Sequence, residues 1–404
     1  MMEFKQVINH VSDQEIIDMA AALVRIPSYS GMKDQEKAVA HHIAARFEAE
    51  GIQTELVEVL PGRPNVIARL PGCGTGQSLM LTGHMDTVPP YEMKGDPFSG
   101  TIHENRLHGR GACDMKSALA AMMGALIALK RSGVQLAGDL VFAGVINEEQ
   151  LNEGTEYIVR NGPHTDAAII GEPTELKIAP GHRGLEWIKI QFKGKTTHGG
   201  TPTEGVNAIS KAAKFINLVE EKLVPTFSRY RHPLIGEPLL NFGVITGGDQ
   251  PSSVAGRCSL SIDRRWTPLE SYEKIYDELH QLVNELRKKD NEFEAEIERY
   301  FKNSDMMLHR PLETDLNHPL LSVLQQGIKD VLKTTPETIA FPAWTDASLL
   351  SNYAGITSVV LGPGHLKEAH NDNESISLMQ IVEAYKLYTY TAIHYCDQEQ
   401  NHEE

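Results

Sequence analysis

Apolar positions recur with helical spacing from Asp13 to Val24 and again from Asp34 to Glu50. This predicts two amphipathic helices, the second stopped at Gly51, a residue suited to the left-handed turn that closes a helix. Short β-rich runs follow at Thr54–Val59, Asn65–Leu70 and Ser78–Leu81. The stretch from Met115 to Lys130 is dense in Ala, Met and Leu and predicts a buried helix. Leu140–Ile146 and Ala167–Ile170 are unbroken apolar runs, as expected of strands covered on both faces. Strands alternating with helices predict an α/β layered domain.

The pattern changes near Gly181. Leu185–Lys193 alternates like a half-exposed strand, and Asn207–Val224 reads as a helix. Strands fit Leu239–Thr246 and Val254–Asp263, a helix fits Leu269–Arg287, and a last strand fits Phe293–Tyr300. That order, β-α-β-β-α-β, is the ferredoxin-like unit. After Asp305 the first alternation resumes, with a strand at Ser358–Leu361 and a final helix from Ser375. A chain of 404 residues also exceeds what one core usually supports. The expected organisation is an α/β domain over residues 1–181 and 302–404, interrupted by an α+β domain over residues 182–301.

Charge and composition narrow the class. Acidic residues outnumber basic ones by 54 to 38, which argues against a surface that tracks nucleic-acid phosphates. No uninterrupted apolar run reaches the length of a membrane span, and the N-terminal residues lack the apolar core of a secretory signal. Cys73, Cys113, Cys258 and Cys396 lie far apart without paired spacing, which suits a reducing compartment. A cytoplasmic protein without nucleic-acid or membrane partners is the expectation. The acidic end, DQEQNHEE, reads as a solvated tail.

Five short segments at predicted strand ends, or just before the predicted buried helix, carry acids or histidines; open α/β sheets place their sites at strand ends. His84 and Asp86 point the same way on extended chain, so Asp86 could accept the second N–H of a metal-bound imidazole. Asp114 precedes the predicted buried helix, where an ordinary N-cap aspartate would serve equally well. Glu148 and Glu149 directly follow a buried strand. One could ligate metal while the other handles a proton, although a solvated strand end also fits. Glu172 ends another apolar strand, and His370 lies in a polar loop before the last helix. Together, two histidines and three carboxylates can hold two metals bridged by Asp114. Nitrogen and oxygen donors without thiolate suit zinc, with cobalt or manganese also compatible.

In order along the chain, GHMDTVPP, GRGACDMKSALAAM, NEEQLNEG, IIGEPT and GPGHLKEAHNDNESI resemble the signature segments of the M20 metallopeptidase family, which includes acetylornithine deacetylase, succinyl-diaminopimelate desuccinylase, aminoacylase and glutamate carboxypeptidase. The resemblance spans nearly the whole chain. It implies that His84 and Glu172 hold one metal and that Glu149 and His370 hold the other. Asp114 bridges, Glu148 is the general base, and Asp86 stands behind His84. It also implies a cis peptide after Asp114, and a lid or dimerisation role for the inserted domain. His198, in KTTHGGTPTEG, is expected to reach a neighbouring subunit's site and stabilise the oxyanion. Asn241 and Arg265 resemble positions that hold a substrate carboxylate, and Gly364 is a further expected substrate contact.

Glu at position 172 resembles the family's deacylases and carboxypeptidases, whereas its aminopeptidases commonly carry Asp there. The expectation is a homodimeric, dinuclear zinc hydrolase acting on an N-acyl amino acid. A carboxypeptidase or dipeptidase acting on short peptides is the alternative; a non-catalytic relative would have no need of Glu148.

Overall fold

The computed structural model describes residues 2–301 and 306–397, so the expected tail beyond Asp397 lies outside the described residues. The chain divides into two compact units. One is drawn from Met1–Gly181, Leu312–Phe341 and Thr345–Glu404, the other from His182–Pro311 and Pro342–Trp344.

The first unit is built on a nine-stranded mixed sheet. Its centre is four mutually parallel strands lying side by side: Leu140–Val145, Leu79–His84, Ala167–Ile170 and Thr357–Val360. Every residue of the first three is buried, which explains why they read as continuous apolar runs rather than alternating ones. Gln53–Leu60 and Arg63–Leu70 extend one side antiparallel. Ile178–His182, Leu312–Glu313 and Thr338–Phe341 complete the other.

The helix Ser117–Ser132 is buried along nearly its whole length and packs with the long C-terminal helix Leu378–Cys396. Small residues allow this. Gly124, for example, faces Ile16 and Tyr385 so closely that a methyl group would collide with both. Together with the preceding turn, Ala112–Ser132 is long and apolar enough to cross a membrane, although Asp114, Lys116 and Ser117 interrupt it as an apolar run. Its apolar part, Ala112–Leu129, is buried throughout, as in a core helix.

Local boundaries differ from the sequence reading where polar groups intervene. The helix expected from Met115 starts at Ser117, because Asp114 and Met115 are held in extended and irregular conformations. The helix expected from Ser375 begins at Leu378. Residues Ser375–Ser377 instead pair with Arg106–His108 and, through it, Thr101–His103 in a small sheet with no strong periodic signal.

The second unit has the expected β-α-β-β-α-β order. Its four antiparallel strands stand in the order Leu239–Gly247, Arg257–Trp266, Gly184–Lys193 and Glu294–Arg299. Ile188, Ile190, Phe192, Leu260 and Ile262 face the helices Ala208–Leu218 and Tyr272–Lys289, closing a separate core around Phe215 and Leu279. The unit runs past residue 301 to Pro311. The Leu185 N–H donates to the His309 carbonyl at 2.9 Å. Trp344 stacks on the His309 ring with centroids 4.0 Å apart, and its indole N–H donates to the Arg310 carbonyl. These contacts bind both outlying segments to this unit.

One glycine fixes how closely two of the parallel strand ends approach. A Cβ on Gly362 would lie 2.0 Å from the Gly171 carbonyl oxygen, beside Glu172. Gly362→Ala should therefore cost about 1–3 kcal/mol, the usual range for overpacking. A lowered urea midpoint would register it, whereas an unchanged midpoint would mean the two strand ends separate freely.

Candidate metal centre

The four central strands deliver their chemistry at one end. Leu79–His84 ends on His84, Leu140–Val145 leads into Glu148 and Glu149, and Ala167–Ile170 leads into Glu172. Thr357–Val360 leads into the loop that carries His370. Asp114 reaches the same place from the irregular turn before the Ser117–Ser132 helix, and the Asp114–Met115 peptide is cis.

His84 is buried, and its Nδ1 lies 2.9 Å from the Asp86 backbone carbonyl. A carbonyl can only accept, so Nδ1 carries the proton and Nε2 faces the site. There it lies 3.0 Å from Asp114 Oδ1 and 3.6 Å from Glu172 Oε1. His370 repeats the pattern: its Nε2 lies 3.2 Å from Asp114 Oδ2 and 2.9 Å from Glu149 Oε1. Each histidine nitrogen thus converges with two carboxylates, and Asp114 gives one oxygen to each group. Donor atoms of His84, Glu148 and Glu172 lie within 4.8 Å of one another, as do those of His84, Asp114 and Glu149.

One role differs from the sequence reading. The Asp86 carboxylate was expected to receive the His84 N–H, but it stands 3.7 Å from Nδ1, and the backbone carbonyl takes that bond. The carboxylate instead accepts the backbone N–H groups of Glu148 and Glu149 at 3.1 and 3.0 Å. Asp86 therefore orients the acidic pair as well as the histidine strand.

Several supporting groups were not singled out from the sequence. Glu374, fully buried, accepts the backbone N–H groups of Cys113 and Asp114 through one oxygen and pairs with Arg110 through the other. Glu36 binds Arg63 and the Asn147 N–H, and Arg63 also binds the Asn147 side chain. Asn147 takes the left-handed conformation (φ 63°) that turns the chain just before Glu148. Lys116 is buried against the Ile26 carbonyl, and burial lowers its amine to about 7. Glu374 and Arg110 did stand in the quoted segments, but nothing in their spacing marked their role. Glu36 had no local signal.

The electrostatics are those of a cation site. Burial and neighbouring carboxylates push Glu148 and Glu172 well above the ordinary carboxyl range. Asp114 is held far below it by the two histidines, which overcome its burial. His370 is raised to about 11 by its hydrogen bonds to Asp114 and Glu149. So many buried carboxylates around two imidazoles need compensating positive charge. Two divalent cations in place of the imidazolium protons would supply it, and the N/O donor set without thiolate fits zinc, cobalt or manganese. Cys113 is buried nearby, but its Sγ lies 3.4 Å from the His365 carbonyl rather than among the donors.

Of the remaining expected residues, His198, Asn241 and Arg265 belong to the second unit and Gly364 to the first. His198 is exposed in the second unit, and its Nδ1 accepts the Gly200 N–H at 3.0 Å, leaving Nε2 as the protonated nitrogen of the neutral ring. Asn241 is exposed opposite Asp263 in the same sheet. Arg265 already forks onto Asp263 at 2.7 and 3.0 Å. Gly364, in the first unit, adopts φ 92°, and its N–H and carbonyl are both taken, by Gln380 and by the Glu175 N–H. Its evident duty is shaping the loop beside Cys113, whose Sγ would lie 2.6 Å from an added Cβ.

Comparison with known proteins agrees with this geometry. The family described as Peptidase family M20/M25/M40 matches residues 80–394. The chain belongs to this family. It is an M20 hydrolase of a metal-dependent family, and its His/Asp/Glu cluster is a candidate metal site. It is 30% identical to N-formyl-4-amino-5-aminomethyl-2-methylpyrimidine deformylase of Bacillus subtilis (strain 168), covering 95% of both chains. It is 32% identical to acetylornithine deacetylase of Vibrio atlanticus (strain LGP32), over 84% of this chain and 86% of that one. Among solved structures, an M20 family metallo-carboxypeptidase, Sso-CP2 from Sulfolobus solfataricus, shares the fold. The TM-score is 0.80 at 20% identity, covering 95% of this M20 chain and 99% of that one.

The raised groups set a direction for pH dependence in the metal-free protein. Burial lifts Asp346, beside the site, from 3.8 to about 6. Both Asp346 and His370 bind protons more tightly folded than unfolded. Their contributions are complete below the unfolded values and are lost as pH rises through about 6 and about 11 respectively. Metal-free protein should therefore melt at progressively lower temperature from about pH 5.5 to about pH 8.5. Zinc-saturated protein should fall less over the same range, because metal binding releases the His370 proton. Calorimetry with and without chelator measures the gap. A gap that narrows with rising pH would contradict this account.

Proposed function

We propose that this chain is a two-zinc amidohydrolase that removes the acyl group of an N-acyl amino acid or a similar N-acylated amine. The observation that carries the reading is the division of Asp114, with one carboxylate oxygen toward His84 and Glu172 and the other toward His370 and Glu149. His84, Glu172 and Asp114 would hold one ion; His370, Glu149 and Asp114 would hold the second. Bound there, the ions supply Lewis-acid polarisation of the amide carbonyl and a lowered water pKa. Glu148, with a donor atom within 4.8 Å of those of His84 and Glu172, is assigned to the proton rather than to either ion. It takes the proton of the attacking water and passes it to the departing amine. The raised proton affinity that burial gives Glu148 suits a group that must both accept and return a proton.

The deacylase assignment rests on Glu172 and on the names of the two relatives above, a deformylase and a deacetylase. Both act, by name, on an N-acylated amine. Asn241 and Arg265 are proposed to receive the substrate carboxylate, Arg265 through donors not engaged by Asp263. We further propose a homodimer through the second unit. The Leu239–Gly247 strand is the edge of its sheet and exposes Leu239, Val244 and Ile245, an apolar edge that an isolated chain would ordinarily protect. In the dimer, the partner copy's equivalent of His198 would donate its Nε2–H to the developing oxyanion.

Glu148→Ala should keep about two metal ions per chain and lose about 10²–10⁴-fold in kcat. The substrate panel should contain N-acetyl and N-formyl amino acids, an N-formylated aminopyrimidine and dipeptides. Unchanged turnover in the variant would remove the mechanism, and turnover of dipeptides alone would replace the deacylase by a dipeptidase. His198→Ala should lower kcat by about 10²–10³-fold without shifting the melting temperature. Sedimentation of the wild type should give a dimer; a fully active monomer would refute the shared site.

A further inference from the structure

One buried carboxylate beside the site belongs to neither metal triad. Asp346 precedes the helix Ala347–Ala354, where an aspartate side chain ordinarily accepts the first free N–H groups of the helix. Here it makes no such bond and is only 4% exposed. Its two oxygens are turned to another segment: Oδ1 accepts from Asn152 Nδ2 at 3.0 Å, and Oδ2 from the Thr155 hydroxyl at 2.7 Å.

Asn152 is itself unusual. It holds a left-handed conformation, φ 60°, immediately before the helix Glu153–Asn161, and its backbone N–H closes the turn onto the Asn147 carbonyl at 2.8 Å. Its side-chain amide spends its second hydrogen on the Glu148 carbonyl, at 3.2 Å. The Glu148–Glu149 backbone is therefore gripped from two sides. Asp86 takes both of its N–H groups, and Asn152, fixed by Asp346, takes the carbonyl between them. Thr155 anchors the same aspartate to the helix that follows the turn.

We propose that Asp346 is a positioning residue for Glu148, acting through Asn152 to fix the turn that aims the general base. The assignment rests on the hydrolase reading above. A free N-cap aspartate would do nothing for the turn, and a simple packing residue would not carry a buried charge directed onto two donors of one segment. Without Asp346 the turn keeps its Asp86 bonds but loses the hold on Asn152. Glu148 then samples orientations that cannot reach the water, while substrate still binds.

The test uses the full-length protein as Asp346→Ala, Asp346→Asn, Asn152→Ala and the Asp346→Ala/Asn152→Ala double variant, each saturated with zinc. Asp346→Ala is expected to lower kcat about 100-fold with KM changed less than about threefold, and Asn152→Ala to lower it comparably. The double variant should be no worse than either alone, as expected of two residues acting through one link. Asp346→Asn, which retains an acceptor for Asn152 while the Thr155 hydroxyl can turn to accept, should recover to within about tenfold of wild type. Hydrogen exchange on metal-free protein supplies a readout independent of turnover. Amides 147–153 should exchange faster in Asp346→Ala, with the Leu79–His84 and Ala167–Ile170 strands unchanged. Wild-type kcat in Asp346→Ala, additive losses in the double variant, or faster exchange spread over the whole unit would each overturn the proposal. If the wild type hydrolyses no N-acyl substrate, the functional reading fails, and the local exchange pattern still decides whether Asp346 holds the turn.

Discussion

The mutual repulsion of converging carboxylates is the constraint around which the first unit is organised. Asp86, Asp114, Glu148, Glu149 and Glu172 meet where four parallel strands end, and among the described residues two imidazoles, those of His84 and His370, face them. No arrangement of apolar packing relieves that charge. The fold manages it by directing hydrogen-bond donors and distant cations onto acids that do not face the centre. Asp86 receives two N–H groups, Glu374 receives two more and Arg110, and Glu36 receives Arg63. What remains unsatisfied is the pair of histidine-centred triads sharing Asp114, which is where positive charge has to enter from outside.

This division explains which parts of the molecule were legible from the chain alone. The parallel core strands declared themselves because burial on both faces leaves a run of apolar residues, as in Leu140–Val145. The second unit was legible for the opposite reason: one sheet face is open, so Gly184–Lys193 alternates. The metal-facing residues could be gathered only as a set, since His84 or Asp114 alone has ordinary alternatives. The family resemblance supplied an expected pairing, and the structure sets His84 beside Asp114 and Glu172, and His370 beside Asp114 and Glu149.

Other features left no periodic trace. The start of the Ser117–Ser132 helix was misplaced because the turn before it is shaped by Glu374, 260 residues away from Asp114. The Asp86 carboxylate was given to His84 because the two share a strand face, but a backbone carbonyl competes successfully at shorter range. Nothing in the sequence around Asp346 marks its bond to Asn152, 194 residues away. Long-range hydrogen bonds of this kind depend on which loops meet, and a sequence shows the loops without their meetings.

The strand order also has a consequence for biosynthesis. Thr357–Val360 lies beside Ala167–Ile170, and between them in the chain comes the entire four-stranded sheet of the second unit. A nascent chain emerging from the ribosome exposes His84, Asp114, Glu148, Glu149 and Glu172 long before it exposes His370. During that interval the acidic cluster lacks its second imidazole, and the strand ends lack the neighbour that Gly362 presses against them. Contacts so distant in sequence form late in folding. The arrangement in which Asp114 faces both histidines is therefore completed only after the Thr357–Val360 strand and the loop that carries His370 have docked.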